Sequence, residues 1–200
     1  MRVVCLDLEG VLVPEIWINV ARVTEVAELT LTTRDIPDYH ELMQTRLTIL
    51  DKHGITLPMI TSVIASIKPL EGATCFLASL RERTQVIILS DTFEEFAQPL
   101  MRQLDWPTLF CNSLIVNGDG KITGYQLRQE NGKREAVRAL STMNLTVFAA
   151  GDSWNDLTMI QEARKGAFFC PPASMVEAYP EIPVCNNYAE LSAFLLGSEA

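Results

Sequence analysis

The 200-residue chain has only two histidines, His40 and His53. That argues against a His-rich zinc site and against a Ser-His-Asp triad. Both fall in a polar helical stretch and read as surface groups. Five cysteines (Cys5, Cys75, Cys111, Cys170 and Cys185) are scattered with no Cys-x-x-Cys pair. An odd, dispersed set argues against a disulfide framework and for a reducing, cytoplasmic setting. Cys5 and Cys170 lie in apolar runs and are expected to be small buried hydrophobes. Positive charge is in deficit: the formal net charge is −9, which argues against nucleic acid as a partner. No apolar run approaches the roughly 20 residues of a membrane span, and the N-terminus, which reaches Asp7 after a single Arg, does not read as a signal peptide. Neither an internal repeat nor a low-complexity segment is present. Catalysis in such a chain has to lean on carboxylates, and an anionic substrate would need local positive charge from a metal, Lys or Arg.

At 48% hydrophobic and 20% charged residues the chain has the composition of an ordinary folded protein. Its length suits one compact domain with an insertion, or two small domains. Val3 to Leu6 is an apolar run short enough for a strand buried on both faces, and it ends abruptly in Asp7-Leu8-Glu9-Gly10. A helical region follows over 14–68. Glu15 to Glu28 has apolar residues at helical spacing. A second helix starts near Pro37 and runs toward His53, with Gly54 as its stop, and a third after Thr56 is ended by Pro69. Strand and helix then alternate: a helix over Gly72–Arg83, a strand Val86–Leu89 ending in Ser90-Asp91-Thr92, and a helix Phe93–Leu104 that Pro99 should kink or end. Next come a hairpin over Leu114–Leu127 around Asn117-Gly118-Asp119-Gly120, a helix from Lys133 to Leu140, and a strand Val147–Ala150 ending in Gly151-Asp152-Ser153. A helix Asn155–Arg164, a short strand Ala167–Cys170 and a helical tail over 174–196 broken at Pro180–Pro183 complete the chain. This alternation implies an α/β fold with a Rossmann-like, doubly wound, mostly parallel sheet. Asp7 with Glu9, Ser90 with Asp91, and Asp152 would converge at the carboxyl edge of that sheet, where such folds bind ligands.

Two acids at such an edge repel each other and cost desolvation, so a cation beside them is expected. Asp7 can be a metal ligand, a nucleophile or a structural cap. Mg2+ suits Asp7 and Asp152, because it takes oxygen ligands and keeps waters and substrate phosphate. It would favour ionised Asp7, which could attack phosphorus, and Glu9 could exchange protons with the leaving and incoming oxygens. Ser153-x-x-Asp156 fits a capping box, which explains both of its residues as helix structure. Ser90 reads either as a hydroxyl donor to a phosphoryl oxygen or as a helix N-cap. Lys133, after the Asn131-Gly132 turn, reads either as a solvated charge or as a neutraliser of phosphate and the nucleophile. By residue type alone, Glu15 and Arg46 are helix-surface charges.

Asp7-x-Glu9-Gly10-Val11, Ser90-Asp91-Thr92, Lys133 and Gly151-Asp152-Ser153-x-Asn155-Asp156 stand in the order and spacing of the haloacid-dehalogenase-like phosphatases, and the chain resembles that family over nearly its whole length. Leu6 to Glu15, Thr33 to Tyr39, Leu89 to Phe93 and Tyr125 to Gln129 are further similar to its bifunctional phosphoserine phosphatase / homoserine phosphotransferase members, enzymes of serine and threonine biosynthesis. The resemblance implies a core of 1–13 and 69–200, with a small helical cap of 14–68 inserted after the first strand. It implies Asp7 as nucleophile and Glu9 as acid/base. Mg2+ would be held by Asp7, the Glu9 backbone carbonyl and Asp152. Substrate contacts would come from Glu15, Arg46, Ser90, Asp91, Lys133 and Asn155, with O-phospho-L-serine as substrate and L-homoserine as an alternative acceptor. Glu15 would meet the substrate ammonium and Arg46 its carboxylate. A homodimer is also implied. The chain departs from the superfamily in carrying Glu9 where Asp is usual, and from many phosphoserine phosphatases in carrying Asp91 where they have Gly. Another small phosphomonoester is the alternative substrate. A receiver-type signalling domain shares acids at strand ends and a Lys but lacks a helical insertion of this size, and a metal-free dehalogenase is disfavoured by Glu9 and the Gly-Asp-Ser-x-Asn-Asp pattern.

Overall fold

In the computed structural model, which describes residues 1–197 apart from 33, 34 and 37, the first strand, β1 (Arg2–Leu6), lies at the centre of the sheet. Its side chains alternate between two apolar clusters, Val4 and Leu6 on one face and Val3 and Cys5 on the other. That is why the run needs no polar face. The chain continues through α1 (Ile16–Thr24), α2 (Tyr39–Lys52), α3 (Leu57–Ser66) and α4 (Ala73–Arg81) before β2 (Gln85–Phe93), α5 (Glu94–Gln103), β3 (Thr108–Val116) and β4 (Ile122–Gln126). It then crosses to the other side of β1 with α6 (Gly132–Thr142), β5 (Thr146–Gly151), α7 (Leu157–Glu162), β6 (Lys165–Phe169), α8 (Ala173–Ala178), β7 (Val184–Cys185) and α9 (Tyr188–Leu196). The strand order is β4-β3-β2-β1-β5-β6-β7, parallel except for β4. β1 therefore has its successor β2 on one side and β5 on the other, and the crevice at that reversal is where ligands bind in such sheets. Helices α4, α5 and α9 cover one face and α6, α7 and α8 the other. The expected doubly wound α/β architecture is present.

The structure corrects the sequence reading in several places. β2 continues to Phe93, so Ser90-Asp91-Thr92 lies within the strand and not beyond it, but its register with β3 shifts between Leu89 and Phe93. This irregularity leaves the three polar residues free to turn toward the sheet edge. β3 begins at Thr108, well before the expected hairpin. Its first half pairs in parallel with β2 and only its second half forms the hairpin with β4. The two-residue strand β7 (Val184–Cys185) directly follows the Pro180–Pro183 break, in a stretch read as helical. Cys170 is exposed, not buried: it follows β6 at φ 46°, and the left-handed turn carries its side chain out of the core to the Asn186 carbonyl. The second helix is capped by Asp38, whose carboxylate accepts the Glu41 N–H at 2.8 Å. Pro37, read as its start, lies outside the described residues. Gly54, at φ 63°, ends the helix as expected. Both histidines are exposed.

The helical insertion leaves the core at Leu12 and returns at Leu70, where the Leu70 N–H donates to the Leu12 carbonyl at 2.9 Å. Its apolar residues Ile16, Val20, Leu47, Leu50, Ile60 and Ile64 join the same cluster as α4 and α5. Trp17 packs edge-on against Phe96 at 5.4 Å. On the far side the insertion meets the β3–β4 hairpin tip. The Leu57 N–H donates to the Gly120 carbonyl at 2.8 Å, and Lys121 pairs with Asp51 at 2.6 Å. Tyr39 also reaches across from α2 to donate its hydroxyl to the Asp91 carbonyl at 3.2 Å.

Candidate active site

Asp7 directly extends β1. Its N–H donates to the Ala150 carbonyl of β5 at 3.0 Å, which fixes the residue at the reversal point of the sheet. One carboxylate oxygen, Oδ1, accepts from the Lys133 ammonium at 2.8 Å. Lys133 comes from the start of α6, is 4% exposed, and also donates to Asp156 Oδ1 at 2.7 Å, with Asp91 Oδ2 at 3.7 Å. Burial alone would lower the lysine, but the nearby Asp156, Asp7 and Asp91 carboxylates hold it well above its ordinary value. The Asp7, Asp152 and Asp156 carboxylates lie within 4.8 Å of one another.

Three carboxylates around one ammonium leave negative charge in excess. Burial, Asp156 and Asp152 outweigh Lys133 and push Asp7 well above the usual carboxylate range. Burial first, then Asp156 and Glu15, push Asp152 up to about 7. Such an oxygen-only, charge-deficient cluster fits a hard divalent cation. Asp156 is the least suited of the three to ligate it, because its lone pairs are occupied. Oδ1 takes Lys133, and Oδ2 accepts the Asp152 N–H, the Ser153 N–H and the Ser153 hydroxyl, each at 3.1 Å. Asp7 and Asp152 are the candidate ligands.

Two glycines make room for these acids. Gly10 has φ 78°, and a Cβ there would lie 2.3 Å from the Asp152 Cγ. A Cβ on Gly151 would lie 2.3 Å from the Asp156 Cγ. Each carboxylate thus occupies the volume that any other residue type would fill.

Glu9 points away from the cluster. Its Oε2 accepts the Ile16 N–H at 2.7 Å, at the start of α1, where a helix presents unpaired N–H groups. Burial, with Glu15 adding to it, raises its carboxyl to about 8 despite that hydrogen bond and Arg46. Arg46 lies on the α2 face toward the site. Its guanidinium stacks over Trp17 at 4.5 Å, and Nη2 donates to the Leu31 carbonyl at 2.9 Å. The buried Nε makes no hydrogen bond. Burial lowers this arginine to about 10, so the group gains most from an arriving anion. Glu15 is exposed just before α1. Ser90 is buried, and its Oγ accepts the Thr92 N–H at 3.2 Å. Asp91 Oδ2 accepts from Asn155 Nδ2 at 2.8 Å, while the Asn155 carbonyl oxygen takes the Ser153 hydroxyl.

Asp7, Glu9, Glu15, Arg46, Ser90, Asp91, Lys133 and Asn155 all line one cavity of about 1020 Å3. Asp152 sits behind it, against Gly10. The residue that sequence reasoning passed over is Asp156. The Ser153–Asp156 capping box is present, but the carboxylate is fully buried and also anchors Lys133. Its place in the same Gly151-Asp152-Ser153-x-Asn155-Asp156 stretch as Asp152 was the available signal.

A family model described as haloacid dehalogenase-like hydrolase matches residues 1–164. The phosphoserine phosphatase ThrH of Pseudomonas aeruginosa is 53% identical over 191 residues, spanning 96% of this chain and 93% of that protein. A phosphoserine phosphatase of Pseudomonas syringae pv. tomato is 52% identical over 191 residues, spanning 96% of this chain and 81% of its own. Among solved structures, a substrate-bound phosphoserine phosphatase complex superposes with a TM-score of 0.76 at 20% identity, covering 96% of this chain and 97% of that one. At that identity the likeness shows a shared fold.

Proposed function

This chain belongs to the haloacid dehalogenase-like hydrolase family, and from that premise we propose that it is a Mg2+-dependent phosphoserine phosphatase that can also pass phosphate to homoserine. The observation that carries this reading is the polarity of the cavity. Asp7 and Asp91 on Lys133 stand at its sheet edge with Asp152 and Asp156 behind them, and the unpaired Arg46 Nε stands on its helical side. A ligand with phosphate at one end and carboxylate at the other matches both. The two Pseudomonas relatives carry the phosphoserine phosphatase name.

Asp7, Asp152 and the Glu9 backbone carbonyl would hold Mg2+, which when bound supplies the positive charge that keeps Asp7 ionised and offsets phosphate. Asp7 attacks phosphorus, forming a carboxyl O–P bond as the serine O–P bond breaks. Glu9, protonated at neutral pH by the burial described above, gives its proton to the departing serine oxygen. Glu9 then takes a proton from water, or from the homoserine hydroxyl, as that oxygen attacks phosphorus and releases Asp7. Lys133 and the Ser90 hydroxyl neutralise and hold the phosphoryl oxygens. The Asp91 carboxylate, held by Asn155, is unsuited to phosphate, so contact there falls to the backbone. Glu15 pairs with the ammonium, and residues 14–68 act as the cap. A phosphorus NMR time course with Mg2+ and O-phospho-L-serine, with and without homoserine, tests the reading. Inorganic phosphate is expected from the ester alone and a phosphohomoserine resonance only with the acceptor; an unchanged spectrum refutes both.

The cavity is large enough for esters bigger than phosphoserine, which favours another small phosphomonoester as the second reading. Arg46→Ala separates the two. It is expected to reduce kcat/KM on phosphoserine by about 10²- to 10³-fold, as loss of a charge-assisted bidentate contact would, and to leave phenyl phosphate hydrolysis nearly unchanged. Equal losses on both esters would assign Arg46 to the cap's structure. Gly10→Ala is expected to displace Asp152 and reduce turnover at least about 10²-fold, since misplacement by an ångström has that scale of effect. Turnover within a few-fold of wild type would show that the close approach is dispensable.

A further inference from the structure

Along one wall of the cavity, lined by Asn112, Arg128 and Gly132, lies a polar brace that none of the assigned roles uses. Asn112, on β3, is 6% exposed, and both ends of its amide are engaged. Nδ2 donates to the Asp91 carbonyl at 3.1 Å and Oδ1 accepts the Arg128 N–H at 3.0 Å. A buried amide satisfied at both ends fixes the separation of the two chain segments it joins, here the irregular end of β2 and the segment after β4. Arg128 carries the connection onward. Its guanidinium lies over the Phe110 ring at 5.1 Å, and Nη2 donates to the Gly132 carbonyl at 3.1 Å. Gly132 opens α6 and immediately precedes Lys133. The intervening Asn131 adopts a left-handed φ of 50° and accepts the Thr158 hydroxyl at 3.0 Å. The brace therefore runs without interruption from Asp91, at one wall of the site, to the residue before its lysine.

We propose that Asn112 and Arg128 are positioning residues that set where the Lys133 ammonium meets the phosphoryl group. The proposal rests on the reading of Lys133 as the phosphate-neutralising residue. Lys133 spans Asp7, Asp156 and Asp91 at 2.8, 2.7 and 3.7 Å, so a small slide of the α6 start changes which acid it serves. Arg128 is exposed, and exposed polar contacts add little to global stability. Its hydrogen bond to Gly132 matters for local geometry.

The test uses Arg128→Met, Asn112→Asp and the double variant. Asn112→Asp keeps size and the acceptor for the Arg128 N–H but loses, when ionised, the donor to Asp91. Inorganic phosphate affinity is read by calorimetry in Mg2+, kcat and KM on phosphoserine are read in parallel, and Tm by calorimetric scan. Arg128→Met is expected to weaken phosphate binding and lower kcat by roughly five- to twenty-fold each, with Tm within about 2 °C of wild type. Asn112→Asp should act in the same direction, and the double variant should lose no more than about two-fold beyond the worse single, because both act through one brace. Phosphate affinity and kcat unchanged in Arg128→Met, or losses that simply multiply in the double variant, would overturn the proposal. A wild type that binds phosphate but leaves phosphoserine intact would refute the substrate assignment while the phosphate affinities still decide the brace.

Discussion

Asp7→Asn is expected to abolish phosphoserine turnover, by at least about 10⁴-fold, the scale at which loss of a covalent nucleophile is felt, and yet to leave the protein at least as stable as wild type. The two expectations have one cause. Folding drives the Asp7 carboxyl well above its unfolded value, because burial and the neighbouring Asp156 and Asp152 outweigh Lys133. A carboxyl raised in this way favours the fold below its unfolded pKa, and that contribution is lost as pH rises through the folded-state value. Asn resembles the protonated form at every pH and keeps an oxygen for Lys133. With cation chelated at neutral pH, the Tm of Asp7→Asn should therefore equal or exceed that of wild type, a local instance of stability exchanged for activity. Phosphate release and calorimetric scans in chelator check the pair. Near-normal turnover would remove Asp7 as nucleophile, and a clear fall in Tm would show that its ion pair with Lys133 outweighs the repulsion.

Asp156→Ala should behave in the opposite way. Its carboxylate is fully buried and holds Lys133, two backbone N–H groups and the Ser153 hydroxyl. Removing it strands the two N–H groups and leaves Lys133 to Asp7 and, at 3.7 Å, Asp91. Breaking a buried ion pair of this kind costs about 3–5 kcal/mol, which for a chain of this size lowers Tm by about 6–20 °C. Turnover should fall by at least about 10²-fold through displacement of Lys133 and Asp152. A Tm within about 2 °C of wild type would show that the network contributes nothing to the fold. Two carboxylates less than 5 Å apart are thus expected to have opposite effects on stability, because one is provided with donors and the other is left exposed to its neighbours' charge.

The strand ending in Asp7 was legible because an apolar run that stops in acid has few interpretations, and β5 ending in Asp152 repeats it. The alternation of elements was enough to bring both acids to one edge. The pairing of Lys133 with Asp7, 126 residues apart, is a tertiary fact that no local pattern encodes, and the residues offered it only as the alternative to a solvated charge. Asp156 was misjudged for a different reason. A capping box fully accounts for an acid at that position, and nothing in the sequence reveals that the same oxygens also hold a lysine. The first half of β3 escaped because its residues are only partly buried against a neighbour whose register shifts. β7 escaped because two residues carry no periodicity. Cys170 looked apolar by its surroundings, but the turn that ends β6 reverses where its side chain goes.

The far attachment of the helical insertion has a consequence for the rhythm of turnover. At Leu12 and Leu70 the insertion is tied by backbone, whereas at the hairpin tip one of its ties is the Asp51–Lys121 pair, with both side chains open to solvent. An exposed pair of this kind weakens with ionic strength, since the Debye length shrinks from about 10 Å at 0.1 M to about 3 Å at 1 M. Added salt should loosen that end first, leaving it the Leu57–Gly120 backbone hydrogen bond, and on the proposed function product would then leave faster while a phosphorylated Asp7 would be less sheltered from water.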